Sequence, residues 1–437
     1  MLLRFLCILW PRSVIGSLGR RRTGSGLRAL NANRKYIFSH GWFVVVLNAL
    51  KPVLLLTLAL LVAALSLLTW RQAPNFVLTW KLAILAGEFG HWLVLAPIGL
   101  ALLAACMLEG SALWVALGLC AVATAGFLRP AVSARGLAQT LPEAMSAAFV
   151  GRATADEAWS WARLWRGEAI PDVKPTTEIF ARPGGQELAL DFYRAVVSGA
   201  GAAGAELRPC LVVIHGGGWD GGDRTQLAAW NRRWAARGYA VAAVSYRLAP
   251  AHTWPAQGED VRAAIMWLKS NAARLGIDPR RFVVVGRSAG GQLATAVGYG
   301  ARDPAIRGVI ALYAPHDMPF AWSVSSETDA LNSINLMRQY FGGPPDTPAR
   351  LAAYHAASGQ LLVQADSPPT LLVHGAPDTL AWVRHSERLS ARLRELGVKH
   401  YFLRLPWATH GFDFNPDGPA SQLTDYAIEY FLAQVAR

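Results

Sequence analysis

The hydrophobic pattern changes character part-way along the chain. Val53–Thr69 is an uncharged apolar run bounded by Lys51–Pro52 and Trp70–Arg71; Trp92–Leu108 is a second, and Ser111–Leu128 a third, closed by Arg129–Pro130. None has the polar face of a globular-core helix, and each is long enough to cross a bilayer. Only Glu109 and Gly110 separate the last two, which predicts a helical hairpin. Trp42–Leu50 either extends the first run, with Lys51 snorkelling, or lies in the interface. Phe76–Gly87 is short and carries Lys81 at its middle, which predicts an interfacial segment, with a fourth span as its alternative. Residues 131–170 read as an amphipathic connector. Its cluster of Trp159, Trp161 and Trp165 among Arg152, Arg163 and Arg166 suits a membrane surface and, equally, helices packed on the next domain.

From Pro171 short β-branched runs alternate with amphipathic stretches. Strands are predicted at Thr176–Ala181, Glu187–Val197, Cys210–His215, Ala240–Tyr246, Arg281–Gly286, Ile306–Tyr313, Thr370–His374 and His400–Leu405. Helices are predicted at about Thr225–Arg237, Ala256–Leu275, Trp382–Leu396 and Gln422–Val435. Such alternation implies an α/β domain, a mostly parallel sheet covered on both faces. The expected plan is a basic segment with about three transmembrane helices (1–130), the connector (131–170) and the α/β domain (171–437).

Composition sharpens this division. The chain is 53% hydrophobic and 16% charged, with a formal charge of +13. Residues 1–170 hold 16 Lys/Arg against 6 Asp/Glu, and residues 1–41 hold eight basic residues and no acidic one. A basic run beside apolar spans is the signature of membrane topology rather than of nucleic-acid binding. It predicts a cytoplasmic N-terminus, and three spans then place the α/β domain on the extracytoplasmic face, with Arg129 and Arg135 as exceptions to the rule. Two or four spans reverse the side. Leu2–Trp10 is interrupted by Arg4 and lacks a small-residue cleavage site, unlike a signal peptide. Cys7, Cys106, Cys120 and Cys210 form neither a disulfide framework nor a metal spacing.

The chemistry gathers at strand ends. Gly286-Arg287-Ser288-Ala289-Gly290 is a G-x-S-x-G sequence with a strand before it and a helix after it, the context in which a serine hydroxyl is presented as a nucleophile. Its bland alternative is a helix-capping turn. His215-Gly216-Gly217-Gly218-Trp219 follows another strand. Its consecutive glycines let backbone amides face an oxyanion, so Gly217 and Gly218, with Ala289, are the candidate oxyanion hole. His215 itself is expected to brace this loop. His410, in the loop between the last strand and last helix, is the candidate base, and Asp378, after strand Thr370–His374, the candidate acid; Asp366 and Asp413 are its rivals. The order Ser288, Asp378, His410 is that of the α/β-hydrolases.

Residues 171–437 resemble the α/β-hydrolase superfamily, and within it the hormone-sensitive-lipase-like carboxylesterases and the related feruloyl-esterase-like and isoprenylcysteine methylesterase-like branch. The matching segments are H-G-G-G-W at 215–219, S-Y-R-L-A-P at 245–250, G-R-S-A-G-G at 286–291, P-P-T-L-L-V-H-G at 368–375 and A-T-H-G-F at 408–412. The resemblance implies a serine esterase that uses no metal or cofactor, with the roles above. Arg287 departs from it, since many hormone-sensitive-lipase-like members carry aspartate there. Tyr246–Pro250 and the long segment Pro315–Asp366 are expected to shape the substrate pocket, the latter as a lid or as a helical connector. The expected function is a multi-pass, membrane-anchored serine hydrolase acting on small-molecule or lipid-like carboxylic esters through an acyl-enzyme. An amidase or peptidase of the same fold, and a non-catalytic membrane binding protein or scaffold, are the alternatives.

Overall fold

An eight-stranded sheet carries the α/β domain. The computed structural model describes residues 50–149, 157–196 and 207–436; the basic segment 1–41, the run from Trp42 to Asn48, Arg152 and the end of the second predicted strand lie outside the described residues. The strands are β1 (Thr176–Ala181), β2 (Leu188–Tyr193), β3 (Arg208–Ile214), β4 (Ala240–Val244), β5 (Ile277–Arg287), β6 (Ile306–Leu312), β7 (Thr370–Gly375) and β8 (His400–Leu405). Their order is β1-β2-β4-β3-β5-β6-β7-β8. The β1–β2 and β2–β4 pairs are antiparallel and the remaining pairs parallel. This is the mostly parallel α/β-hydrolase sheet that the pattern from Pro171 predicts.

Helices precede and cover the sheet. They are α1, described over Leu50–Leu67, then α2 (Val77–Glu88), α3 (Gly90–Leu93), α4 (Leu95–Met107), α5 (Gly110–Ala148), α6 (Trp161–Arg166), α7 (Ala228–Ala236), α8 (Ala256–Ser270), α9 (Ala272–Leu275), α10 (Ala289–Gly300), α11 (Met318–Val324), α12 (Ser333–Phe341), α13 (Pro348–Ala356), α14 (Gly359–Leu362), α15 (Arg384–Glu395) and α16 (Pro419–Val435). Strand alternation splits the core into two layers. Val212, Ile214 and Val284 face α8, α10 and α15, whereas Leu211, Val213, Val283 and Val285 face α16 and α7.

Three stretches are long and apolar enough to cross a membrane: Leu50–Leu67, Gly90–Met107 and Gly110–Ala148, with mean hydropathies of 2.3, 1.8 and 1.9. Much of their surface is exposed apolar side chain, Leu54, Leu102 and Trp114 among it. The chain divides into two units, Met1–Leu54 and Leu55–Arg437, so the helices from Leu55 onward and the sheet belong to one unit.

The third run does not stop at Pro130. Helix α5, Gly110–Ala148, continues for 39 residues through Pro130 and Pro142. Proline lacks an N–H, which leaves the carbonyl four residues earlier without its helical donor. At Pro130 that carbonyl is Gly126 O, and Thr69 Oγ1 lies 2.9 Å from it and 2.9 Å from Ser66 O, so its one proton is shared between the two. The second half of α5 packs Ala134, Leu141 and Met145 into the layer that holds α16. The tryptophan cluster divides between the two regions: Trp159 packs against the α16 layer and Arg163 of α6 donates to Asp417 and Asp425 at 2.9 and 2.8 Å, whereas the Trp165 ring stands edge-on to Trp92 at 5.1 Å.

Thr69 is fully buried, so Thr69→Val leaves Gly126 O without a donor. The expected cost is about 1–3 kcal/mol, read as a lower thermal-unfolding midpoint of the solubilised protein, while Thr69→Ser stays near wild type. Equal midpoints for the two variants would remove this hydroxyl from the account of how α5 passes its proline.

Candidate active site

The site is built on the turn between β5 and α10. A Cβ on Gly286 would collide with Gly290 O, and one on Gly290 with the carbonyls of Ile214 and His215, so the chain turns there only with glycine at both positions. Ser288 sits between them at φ 51°, ψ −120°. Such a conformation costs a non-glycine residue on the order of 1–3 kcal/mol and persists only where surroundings hold it. Here Ser288 N donates to Leu312 O at 3.0 Å, and Ser288 O accepts from Gly291 N and Gln292 N.

The structure brings Ser288, His410 and Asp378 together. Asp378 Oδ2 lies 2.8 Å from His410 Nδ1, and His410 Nε2 lies 2.8 Å from Ser288 Oγ. A carboxylate only accepts, so Nδ1 carries the proton and Nε2 is left to accept from the serine hydroxyl. The other oxygen of Asp378 accepts from Leu380 N and Ala381 N at 2.8 and 3.0 Å. His374 Nε2 donates to Ala381 O at 2.8 Å and stands 3.2 Å from Asp378 Oδ2. Burial alone would push the Asp378 carboxyl up, but the electrostatic attraction of the His410 ring and the hydrogen bonds from His374 and His410 outweigh it and hold the group well below the usual carboxylate range. Of the two rivals, Asp366 is exposed in the turn before β7, at the amino end of that strand rather than its carboxyl end.

Gly217 and Gly218 stand in the turn after β3, and Ala289 is the first residue of α10. Among the described residues no hydrogen bond takes up these three backbone N–H groups, and Gly218 lines the same space as Ser288 and His410. Gly217 O accepts from Asp220 N and Gly221 N, and Gly216 N donates to Gln226 Oε1 at 2.8 Å; the loop is thus pinned while its outward donors stay open. His215 lies under it. Its ring stacks on Tyr246 at 4.2 Å and its Nδ1 lies 2.8 Å from Gly216 O, while burial lowers its basicity. The segment 315–366 folds as α11–α14. Leu336 and Met337 of α12 reach the site, and Tyr340 stacks on Trp219 with ring centroids 4.5 Å apart.

Two sets of residues escape the sequence reading. One is a buried ion pair. Arg287, 2% exposed, donates through Nε to Asp413 Oδ2 at 2.5 Å. Tyr313 OH donates to the other oxygen of Asp413, also at 2.5 Å, and the Tyr313 ring packs edge-on against His410 at 4.6 Å. Asp413 is therefore committed to Arg287, and the pair ties the elbow to the loop of His410. A charge inside the elbow and another three residues past the histidine were the available signal. The other set comes from the segment expected to be interfacial. Helix α2 packs on the catalytic loops: Trp80 Nε1 donates to His410 O at 2.8 Å, and just before it Gln72 Nε2 donates to Asp378 O at 3.0 Å. Ile84 and Trp80 approach Gly411, next to His410.

Among known proteins the chain is similar to esterases. A family profile described as BD-FAE matches residues 197–393. Esterase LipC of Mycobacterium tuberculosis is 31% identical over 243 residues, covering 52% of this chain and 59% of LipC. Carboxylesterase NlhH of the same species is 44% identical over 96 residues, 22% of this chain and 30% of NlhH. The chain thus spans less than two thirds of the length of these relatives. A structure described as a bacterial heroin esterase is 25% identical with a TM-score of 0.51, covering 62% of this chain and 87% of that one.

Removing one member of the buried pair strands the other. Arg287→Met is expected to destabilise the protein by about 3–5 kcal/mol, because Asp413 stays buried without its cation. Arg287→Met with Asp413→Asn, which keeps an acceptor for Tyr313, is expected to recover most of that loss. Thermal unfolding of the two variants checks this; a double variant no more stable than Arg287→Met would mean that the two side chains are not coupled.

Proposed function

We propose that this chain, whose α/β domain belongs to the α/β-hydrolase superfamily, is a membrane-anchored serine hydrolase of carboxylic esters. The observation that carries the reading is the unbroken relay from Asp378 through His410 to Ser288, with 2.8 Å at each link, set on an elbow held at positive φ. The esterase relatives support an ester rather than an amide as the scissile bond.

In this mechanism Ser288 Oγ attacks the ester carbonyl as His410 Nε2 takes its proton. Negative charge develops on the carbonyl oxygen, where the N–H groups of Gly217, Gly218 and Ala289 receive it. Donors of this kind, fixed in advance, are worth on the order of 10²–10³ in rate each. The intermediate collapses, His410 protonates the departing alcohol, and an acyl group remains on Ser288. Water then attacks the acyl-enzyme with His410 again as base. Asp378, held ionised, stabilises the imidazolium and fixes its orientation. The substrate is a small-molecule or lipid-like ester, and no nucleic acid takes part.

The anchor is the set of three apolar stretches Leu50–Leu67, Gly90–Met107 and Gly110–Ala148. With three spans the N-terminus lies in the cytoplasm and Ser288 on the extracytoplasmic side. Arg129, the exception, has its guanidinium over the Trp70 ring at 4.9 Å, donating to Thr69 O in the helical region and to Pro406 O of the α/β domain at 3.5 Å, so its charge lies where the two regions meet.

Turnover of p-nitrophenyl butyrate is expected to vanish in Ser288→Ala and to fall on the order of 10⁴-fold in Asp378→Asn, through the wrong histidine tautomer, while Asp366→Asn remains near wild type. Loss in Asp366→Asn with Asp378→Asn intact would reverse the assignment of the acid. For topology, a C-terminal reporter active only outside the cytoplasm is the expected result; one active only in the cytoplasm would mean an even number of spans.

A further inference from the structure

Two cavities of very different size meet at Ser288. The smaller, about 110 Å³, lies between Trp219, Met337, Trp382 and the end of α11. The larger, about 1000 Å³, runs under helix α2. Both are lined by Gly218, Ser288 and His410, so two groups attached to one carbonyl at Ser288 would diverge into them. Pockets for drug-sized ligands occupy about 300–1,000 Å³; one cavity falls well below that range and the other reaches its upper end.

We propose that the larger cavity holds the long hydrocarbon arm of an amphiphilic ester, with α2 as its wall, and that the smaller cavity admits only the short arm. The proposal rests on the serine-esterase reading and names the substrate class for it. The lining carries it. Trp80, Ile84, Leu85 and Phe89 come from the helical region, and Leu331 and Phe414 from the α/β domain. At the opening Leu85 and Phe414 are 38% and 66% exposed, and two turns earlier on the same helix Leu78, outside the cavity lining, is 67% exposed. In the chain α2 lies between two of the candidate spans, Leu50–Leu67 and Gly90–Met107. The ionic groups along the cavity offer no buried counter-charge to a polar ligand. Arg287 and Asp413 neutralise each other, and Lys81 and Asp220 are exposed. A hydrocarbon chain satisfies such a surface through burial alone, at roughly 0.8 kcal/mol for each methylene removed from water, so selectivity rises with every carbon the cavity accommodates.

The test uses the full chain in phosphatidylcholine vesicles and three probes: p-nitrophenyl acetate, p-nitrophenyl laurate and dodecyl acetate. Active enzyme is counted by fluorophosphonate labelling of Ser288. Wild type is expected to hydrolyse at least one of the two long esters faster than p-nitrophenyl acetate, and the preferred one identifies which arm, acyl or alcohol, lies under α2. Leu85→Trp, which fills the cavity from its wall, is expected to lower the ratio of that long ester to acetate about tenfold, the effect of denying burial to about two methylenes. Leu78→Trp, two turns from Leu85 and outside the cavity lining, is expected to keep the wild-type ratio. An unchanged ratio in Leu85→Trp, or a wild type that cleaves acetate and neither long ester, overturns the proposal while the esterase reading stands. A wild type that takes no label and cleaves no probe overturns that reading, and the proposal with it.

Discussion

The architecture depends on one helix that answers to two environments. The first half of α5 is apolar on nearly every side and pairs with the other candidate spans; its second half buries Ala134, Leu141 and Met145 beside α16. A helix is a stiff connection, rising about 1.5 Å per residue, and α5 runs unbroken past Pro130 and Pro142. The apolar run and the half of α5 that packs beside α16 are therefore one element. Because α5 is continuous, α2 is held over the loops that carry Asp378 and His410, and the hydrogen bonds from Gln72 and Trp80 fall on the backbone carbonyls of those two residues. The helical region is thereby a structural part of the active centre as well as a candidate anchor.

The strained serine and the buried ion pair are two ends of one arrangement. Ser288 adopts a conformation that its own backbone disfavours, and the neighbouring strand and helix keep it there. Arg287, one residue earlier, is locked to Asp413, three residues beyond His410. Nucleophile and base stand on segments 122 residues apart, yet each has a neighbour in the same buried pair. Relative placement of the reacting groups is set by that shared contact as well as by the two loops that bear them.

What could be read in the sequence follows from the range of the forces involved. The elbow was legible because steric exclusion around Gly286 and Gly290 is local and only glycine satisfies it. The order of Ser288, Asp378 and His410 was legible because each lies past the end of a strand that the sequence predicts. The passage of α5 through Pro130 was not. A proline and an arginine at the end of an apolar run mark a stop, and the hydroxyl that satisfies the vacated carbonyl belongs to Thr69, on another segment. The role of Trp80 was hidden for a similar reason. An indole N–H pairing with a carbonyl 330 positions away leaves no periodicity and no motif. Arg287 was noticed as a departure from the resembling family, but its partner Asp413 was weighed only as a rival acid.

That departure carries an evolutionary consequence. A carboxylate at position 287 would meet the carboxylate of Asp413 in a space with no cation to spare, and arginine at 287 without an acid at 413 would be a buried lone charge. Neither half of the pair can be inherited without the other. Positions 287 and 413 should therefore covary among relatives. The residue beside the nucleophile then belongs to the fastening of the histidine loop.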